Sequence, residues 1–135
     1  MNEVDLISLL KSNPDFALVS ENSLGELIRM GEIQAFASGS ILIREREAGQ
    51  PVWMLIEGTL DALIEGEMVN HLSTPGEVFG QISAVSFTPA TATVRMASDG
   101  RCLSVSHQSL HGVMEKHPDL AEALLRSMAK YLGRR

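Results

Sequence analysis

Four histidines and one cysteine are the side chains of this chain best suited to metal or nucleophilic chemistry. His107 and His111 are spaced i, i+4 and would share one face of a helix, as two ligands of a metal site can. No third ligand and no Glu-containing zinc motif surrounds them, so we interpret them as two exposed histidines. Cys102 alternates with Leu103 and Val105 and is expected to be a packed structural thiol. Together with serines in no triad-like arrangement, these residues predict neither an enzyme nor a metal site.

The most informative segment is 79–94, which contains Phe79-Gly80-Gln81-Ile82-Ser83 and, after a short apolar run, Pro89-Ala90-Thr91-Ala92. Its order and spacing resemble the phosphate-binding cassette of cyclic nucleotide-binding domains, the family of the catabolite activator protein and the protein kinase A regulatory subunit. In that family the cyclic phosphate binds at the start of the short cassette helix, where unpaired backbone N–H groups point at the anion. The resemblance implies a ligand site formed by Phe79, Gly80, Gln81, Ile82, Ser83, Pro89, Ala90, Thr91 and Ala92.

Two residues of this segment differ from the cassette of the family. Gln81 occupies the position of the ribose-binding Glu, and Ala90 occupies the position of the phosphate-binding Arg. Loss of one partner of a buried charged pair costs about 2–5 kcal/mol, and each 1.4 kcal/mol is about tenfold in affinity. The change at Gln81 is milder, because an amide oxygen still accepts a hydrogen bond worth about 0.5–1.5 kcal/mol. We therefore expect cAMP and cGMP to bind weakly or not at all.

The same two changes leave the state of the pocket open. Thr91 retains a hydroxyl and Gly80 retains the close backbone approach, so the pocket could keep its shape and take a less anionic ligand. Alternatively, the pocket has collapsed or is filled by a side chain such as Phe87. Arg95 is not expected to replace the missing cation, because strand alternation places its side chain on the face opposite to that of Val94.

Four further motifs continue the resemblance in family order and at family spacing. They correspond to the Phe-x-x-Gly-x-x-Leu that opens the β-roll of the family, its Tyr-Phe-Ile-Leu-x-Gly segment, its Pro-Gly-Asp-x-Phe-Gly segment and its last strand. In this chain they are residues 36–42, 53–58, 75–80 and 103–106. The match from about Phe36 to the C-terminus implies an antiparallel jelly-roll β-roll with helices at both ends.

The hydrophobic pattern independently predicts a mainly β fold with flanking helices, in a single domain over residues 1–135. Residues 1–32 are predicted to be helical, with Ser23 and Glu26 at the spacing of a capping box. Between residues 33 and 106, short strands alternate with glycine corners, which is typical of a sandwich or barrel rather than a parallel sheet. The predicted strands are 33–36, 40–44, 52–57, 59–64, 67–72, 93–97 and 101–106.

Residues 107–135 are predicted to be helical again. Ser106 is a candidate N-cap for residues 107–116, and Asp119 is a candidate N-cap for residues 120–132, with the cations of Gly133-Arg134-Arg135 at the end of that helix. An apolar stripe on the last helix either packs on the β-roll or, as the resemblance implies, forms a homodimer interface. We expect the homodimer, through Ala121, Leu124, Leu125, Met128 and Leu132.

Composition limits the partners that we expect. The net charge of −6 gives no electrostatic footprint for nucleic acid or an anionic membrane. No window has the apolar length of a membrane span, and the N-terminus lacks the pattern of a signal peptide. The single cysteine fits a reducing cytoplasm. No segment corresponds to the helix-turn-helix domain of the transcription factors in the family, so we expect no direct DNA binding.

The sequence therefore predicts a non-enzymatic regulatory or sensor domain of the cyclic nucleotide-binding type, without a cofactor. Its partner is expected to be an unidentified small molecule or a protein. One alternative is a ligand-free protein-interaction module on the same scaffold. A jelly-roll metalloenzyme of the cupin type is a weaker alternative, because His71 has no second histidine two residues away, as the His-x-His motif of those enzymes requires.

Overall fold

The computed structural model describes the backbone of residues 1–132 and the side chains of residues 1–130. The chain opens with helix α1 (Glu3–Lys11), a 3₁₀ turn (Pro14–Phe16) and helix α2 (Glu21–Arg29). A capping box at Asn2 and Asp5 starts α1, because each side chain accepts a hydrogen bond from the backbone N–H of the other residue. The predicted helical start of the chain is therefore present.

The predicted capping box at Ser23 and Glu26 is wrong. Both residues lie inside α2, and the N-cap is Ser20, whose side chain accepts a hydrogen bond from the backbone N–H of Ser23. A contact distant in sequence supports this earlier start, since the backbone N–H of Ser20 donates to Asp119 Oδ2 at 2.9 Å. The beginning of α2 is thus tied to the C-terminal helices.

The described residues form two four-stranded antiparallel sheets, with strand orders β1-β8-β3-β6 and β2-β7-β4-β5. Adjacent strands are paired without any parallel ladder, so the predicted antiparallel β-roll with flanking helices is confirmed. The strands are β1 (Glu32–Phe36), β2 (Ile41–Ile43), β3 (Val52–Glu57), β4 (Leu60–Ile64), β5 (Glu67–Leu72), β6 (Val78–Phe79), β7 (Thr93–Met96) and β8 (Gly100–Val105).

Strand bounds follow the prediction closely except in two places. The second strand keeps only Ile41–Ile43 of the predicted 40–44, and its pairing with β7 contains an irregularity in register. The short strand β6 was not predicted, because two residues carry no periodic pattern. It pairs with β3, which sets Phe79 opposite Trp53 and brings the following segment beside the roll.

Two hydrophobic clusters hold the fold together. The first lies between the helices and the β1-β8-β3-β6 sheet and includes Phe16, Leu24, Leu110 and Leu120. The second lies between the two sheets, where Trp53 stacks on Phe79, with ring centroids 6.1 Å apart, and meets Phe36 edge to face. Phe79, the first residue of segment 79–94, is therefore packed in the second cluster.

The described residues also include three further helices: α3 (Gln81–Ser86), α4 (His107–Lys116) and α5 (Pro118–Leu132). Ser106 caps α4 as predicted, by accepting from the backbone N–H of Ser109. The helix α5 starts at Pro118, so Asp119 lies in its first turn rather than before it as predicted. The predicted cations at residues 134 and 135 lie outside the described residues. In the described part of the chain, no helix has the length and apolar character needed to cross a membrane.

Candidate functional site

Gly80 makes the turn between β6 and α3 that positions segment 79–94. Its φ of 78° lies in the left-handed region that side-chain-bearing residues rarely adopt. A Cβ at this position would lie 2.9 Å from Ile43 Cδ1 and 3.0 Å from the carbonyl oxygen of Pro51. Glycine is therefore required both by the conformation and by the close approach of the neighbouring chain, and it fixes the direction in which Gln81 leaves the turn.

The end of α3 turns outward at Phe87. This residue has a φ of 58° and is 53% exposed. Its ring stacks on His111 at a centroid distance of 4.4 Å and meets His107 edge to face at 5.2 Å. His111 Nε2 lies 3.1 Å from the carbonyl oxygen of Ala84. Phe87 therefore does not fill the pocket, which was one of the alternatives left open by the sequence. The two histidines are partly buried against it rather than exposed as predicted.

Backbone hydrogen bonds fix Ala90 on the opposite side of the segment. Its N–H donates to the carbonyl oxygen of Glu47 at 2.9 Å, and its carbonyl oxygen accepts from the N–H of Arg46 at 2.8 Å. Its side chain is 8% exposed and packs within the cluster between the two sheets. The methyl group of Ala90 thus occupies the position at which the cassette of the resembling family carries Arg.

Segment 79–94 and the β2-β7-β4-β5 sheet enclose a cavity of about 230 Å³. Eight of the nine predicted site residues line this cavity, and Pro89 does not. Those eight are Phe79, Gly80, Gln81, Ile82, Ser83, Ala90, Thr91 and Ala92. The sheet contributes mainly apolar side chains, namely Ile43, Ala62, Ile64, Val69, Leu72 and Val94. The pocket is therefore open in this structure, although the sequence left a collapsed pocket as an alternative.

Gln81 is buried at one end of the cavity and reaches towards α5. It is 3% exposed, and its Nε2 donates to Ser127 Oγ at 2.8 Å. Ser127 is also 3% exposed. The prediction placed Gln81 only in the ligand site; sequence reasoning missed its partner because the two residues are 46 positions apart. One residue thus lines the cavity and contacts the C-terminal helix.

Positive charge is absent from the cavity wall, since none of the described lining residues is Arg, Lys or His. Arg95 is exposed on β7, whereas its neighbours Val94 and Met96 are buried, as alternation predicted. Arg46 is 80% exposed at its side chain and lies 3.6 Å from Glu65. No nearby arginine side chain in the described chain replaces the one that Ala90 lacks.

A second polar cluster joins α2 to the start of α5. Ser23 Oγ lies 3.0 Å from His117 Nδ1, and His117 Nε2 bonds the carboxylate of Glu26. The prediction of no triad-like arrangement is therefore wrong in geometry. Ser23 is only 2% exposed, however, and its hydroxyl donates to Asp119 Oδ1 at 2.8 Å. The hydroxyl is thus engaged and inaccessible, and the cluster fastens helices together.

Hydrogen bonds stabilise the ionised form of two carboxyl groups in this cluster. The hydrogen bond from His117 lowers the pKa of the Glu26 carboxyl group below its ordinary value. The backbone N–H of Ser20 is the main cause of a lowered pKa at Asp119.

Elsewhere, burial raises the pKa of the Cys102 thiol to about 11, which fits the predicted structural thiol. Among the described residues, no group of three or more His, Cys, Asp and Glu side chains is placed to hold a metal ion.

The predicted interface stripe on α5 is divided between two faces. Leu124 is 2% exposed and packs in the cluster beneath the helices, so its assignment to a dimer interface is wrong. Leu125 is 60% exposed, and Ala121 and Met128 are partly exposed. The side chain of Leu132 lies outside the described residues. Of the predicted interface residues, those at positions 121, 125 and 128 therefore remain on the outer face of α5, spaced four and three residues apart.

Comparison with known proteins identifies relatives of the same architecture. The family model described as "Cyclic nucleotide-binding domain" matches residues 33–117. The potassium/sodium hyperpolarization-activated cyclic nucleotide-gated channel 2 of Mus musculus is 28% identical over 115 residues, which are 85% of this chain and 13% of the channel. The chain thus corresponds to a small part of that protein.

Solved structures give the same result. The catabolite activator protein of Thermus thermophilus superposes with a TM-score of 0.78 at 18% identity, covering 89% of this chain and 58% of that one. The N-terminal domain of a transcriptional regulator from Streptomyces coelicolor A3(2) superposes with a TM-score of 0.74 at 27% identity, covering 93% and 91% of the two chains. The β-roll with flanking helices is therefore shared with both.

Proposed function

Because the chain belongs to the cyclic nucleotide-binding domain family, we propose that it is a non-enzymatic regulatory or sensor domain that does not bind cAMP or cGMP at physiological levels. The cavity beside segment 79–94 is the sensing site. The cluster of serine, histidine and carboxylate side chains holds helices together and performs no catalysis, because the Ser23 hydroxyl is buried and donates a hydrogen bond to Asp119.

Ala90 is the single observation that carries this proposal. Its methyl group forms part of the cavity wall, and no described lining residue supplies a cation in its place. A phosphate in this cavity would lose its hydration without gaining a charged partner, at a cost of about 2–5 kcal/mol relative to a paired phosphate. Affinity would therefore fall by about 30- to 4,000-fold, since 1.4 kcal/mol is about tenfold.

A regulatory role is supported by the proteins that share the fold. The mouse relative is named as a cyclic nucleotide-gated channel, and the Streptomyces relative as a domain of a transcriptional regulator. This chain matches 13% of the channel, and the Streptomyces name describes one domain of a regulator. By analogy, this chain transmits the occupancy of its cavity to another protein or segment, in a reducing cytoplasm where Cys102 needs no disulfide partner.

Homodimerisation through α5 is a further part of the proposal. The exposed side chain of Leu125 has Ala121 and Met128 four residues before and three residues after it, and this spacing places all three on one helical face. Two copies related by a two-fold axis would cover this face on both subunits. The small Ala121 allows close approach, and the flexible Met128 fills irregular gaps.

A thermal-shift screen tests the proposal. It compares cAMP and cGMP with the matching nucleosides and with uncharged aromatic compounds, at equal concentrations. We expect uncharged compounds to raise Tm and both cyclic nucleotides to leave it unchanged. A ligand at 100 times its Kd adds about 2.7 kcal/mol of stability, which is readily detected. A shift by cyclic nucleotides alone would contradict the proposal, and no shift with any compound would favour the ligand-free interaction module.

A further inference from the structure

We propose that the cavity binds an uncharged, largely apolar ring compound that carries one hydrogen-bond donor, and that Gln81 Oε1 accepts from this donor. This inference rests on the proposed function and names the ligand class of the same site. Its first support is the wall itself, in which the side chains contributed by the sheet are mainly aliphatic. Two of these, Ile64 and Val69, are also 42% and 56% exposed, so the apolar lining continues to the mouth.

The size of the cavity fits a compound of one or two rings. A dry apolar cavity of about 150 Å³ in another protein binds benzene, and this cavity measures about 230 Å³. Removing apolar surface from water on both the ring and the wall is favourable by about 25 cal/mol per Å². An apolar ring therefore gains more free energy on entering this cavity than a hydrated anion does.

Three polar groups of the wall already take part in hydrogen bonds. The Ser83 hydroxyl donates to the carbonyl oxygen of Thr88 at 2.7 Å, and Asn70 Oδ1 accepts from the N–H of His71 at 2.9 Å. Gln81 Nε2 donates to Ser127 Oγ. Within the described residues, Gln81 Oε1 receives no hydrogen bond, although the residue is 3% exposed. Gln81 lines the cavity, and its Oε1 is not among the fully buried unpartnered polar atoms of the described residues. An acceptor at the cavity wall is matched by a ligand that brings a donor, so the ligand is expected to supply that donor.

Charges near Gln81 argue against an anion from either side. Gln81 also borders a second, more polar cavity, whose wall includes Asp15, Glu77 and Lys130. Lys130 Nζ lies 2.5 Å from Asp15 Oδ2, so its charge is already neutralised. An anion directed at Gln81 would meet a carbonyl-type oxygen and, beyond it, the carboxylate of Glu77, whereas a neutral N–H or O–H donor would meet a matching acceptor.

The test uses three bicyclic probes of nearly the same shape on the full chain. Indole carries an N–H donor, indene carries no donor, and indole-2-carboxylate adds a negative charge. Binding is followed by NMR of isoleucine δ1 methyl groups, in which Ile43, Ile64 and Ile82 report on the cavity and Ile28 and Ile56 on the other core cluster. We expect shifts confined to the cavity reporters, with indole about 2- to 12-fold tighter than indene and the carboxylate weakest.

Two variants assign the donor preference to Gln81. Gln81→Met removes the acceptor at similar volume and should equalise indole and indene, whereas Ser127→Ala keeps the acceptor and should preserve the preference. If Gln81→Met is unstable, the double variant with Ser127→Ala removes the unpaired hydroxyl and gives the same comparison. Equal binding of indole and indene to the unmodified protein, tightest binding of the carboxylate, or no shift with any probe would overturn the inference. A parallel titration with cAMP keeps the proposed function separate: binding of cAMP refutes that function, whereas failure of the probes alone refutes only the ligand class.

Discussion

The Nε2 of Gln81 donates to Ser127 Oγ at 2.8 Å, and both residues are 3% exposed. This bond joins the first residue of α3, at the cavity, to the third turn of α5. The cavity and the helix with the exposed Leu125 are therefore connected through one buried polar contact. We therefore expect a ligand that bonds Gln81 to affect this contact with α5.

The first prediction concerns the stability supplied by this contact. Ser127→Ala leaves a buried amide donor unpaired and should lower the free energy of unfolding by about 1–3 kcal/mol. Gln81→Met should do the same by leaving the Ser127 hydroxyl unpaired, and the double variant should lose less than the sum of the two. Urea unfolding of the four proteins measures this coupling. Additivity within about 0.5 kcal/mol would show that the bond contributes nothing.

The second prediction concerns the turn that orients Gln81. Gly80→Ala should destabilise the fold more than Gly66→Ala, although both glycines have positive φ, of 78° and 83°. A Cβ at Gly66 meets nothing within 4 Å, so that variant carries only the strain of about 1–2 kcal/mol. At Gly80 the new Cβ also collides with Ile43 and Pro51. Equal urea midpoints for the two variants would show that the close approach is unimportant.

The third prediction concerns pH. The folded-state pKa values of Glu26 and Asp119 lie below their ordinary values of 4.5 and 3.8. Both carboxylates therefore stabilise the fold at pH values above these, and their contribution is lost as the pH falls through the lowered pKa values. We expect the urea midpoint to decline below about pH 4.5. The variant Glu26→Gln with Asp119→Asn should have a lower midpoint at neutral pH and a flatter acid limb; an unchanged acid limb would contradict this assignment.

The fourth prediction concerns the homodimer. Leu125→Glu places a charge on the outer face of α5 and should convert the dimer to a monomer without unfolding it, because Leu125 is 60% exposed. Leu18→Glu is the matched control, since Leu18 is 89% exposed and belongs to the connection between the 3₁₀ turn and α2. Light scattering at tens of micromolar measures both. A monomeric unmodified protein, or a dimer that survives Leu125→Glu, would remove this face from the interface.

Local sequence signals predicted most of the β-roll. The bounds of β3 (Val52–Glu57) and β5 (Glu67–Leu72) are those predicted, because glycines or other turn residues flank short β-rich runs. The alternation that places Val94 inside and Arg95 outside was predicted for the same reason. The resemblance in segment 79–94 located eight of the residues that line the cavity.

Contacts distant in sequence were not predictable in the same way. Ser23 has the spacing of a capping box, but the N-cap is Ser20, whose backbone N–H bonds Asp119, 99 residues away. Phe87 adopts a left-handed backbone conformation that its residue type does not predict. Its ring therefore packs on His111 and not in the pocket. The bond between Gln81 and Ser127 likewise depends on how α5 packs, so an amide that the sequence placed only in the ligand site also holds a helix.

Calorimetric titration of cAMP is the most direct test of the central claim, which is that Ala90 leaves the cavity without a partner for phosphate. The titration compares the unmodified protein with Ala90→Arg combined with Gln81→Glu, and with Ala90→Gln as a long, uncharged control. We predict no saturable binding at micromolar concentrations for the unmodified protein and the control, and measurable binding for the double variant, because the charged pair restores about 2–5 kcal/mol. Low-micromolar affinity of the unmodified protein for cAMP would contradict the claim.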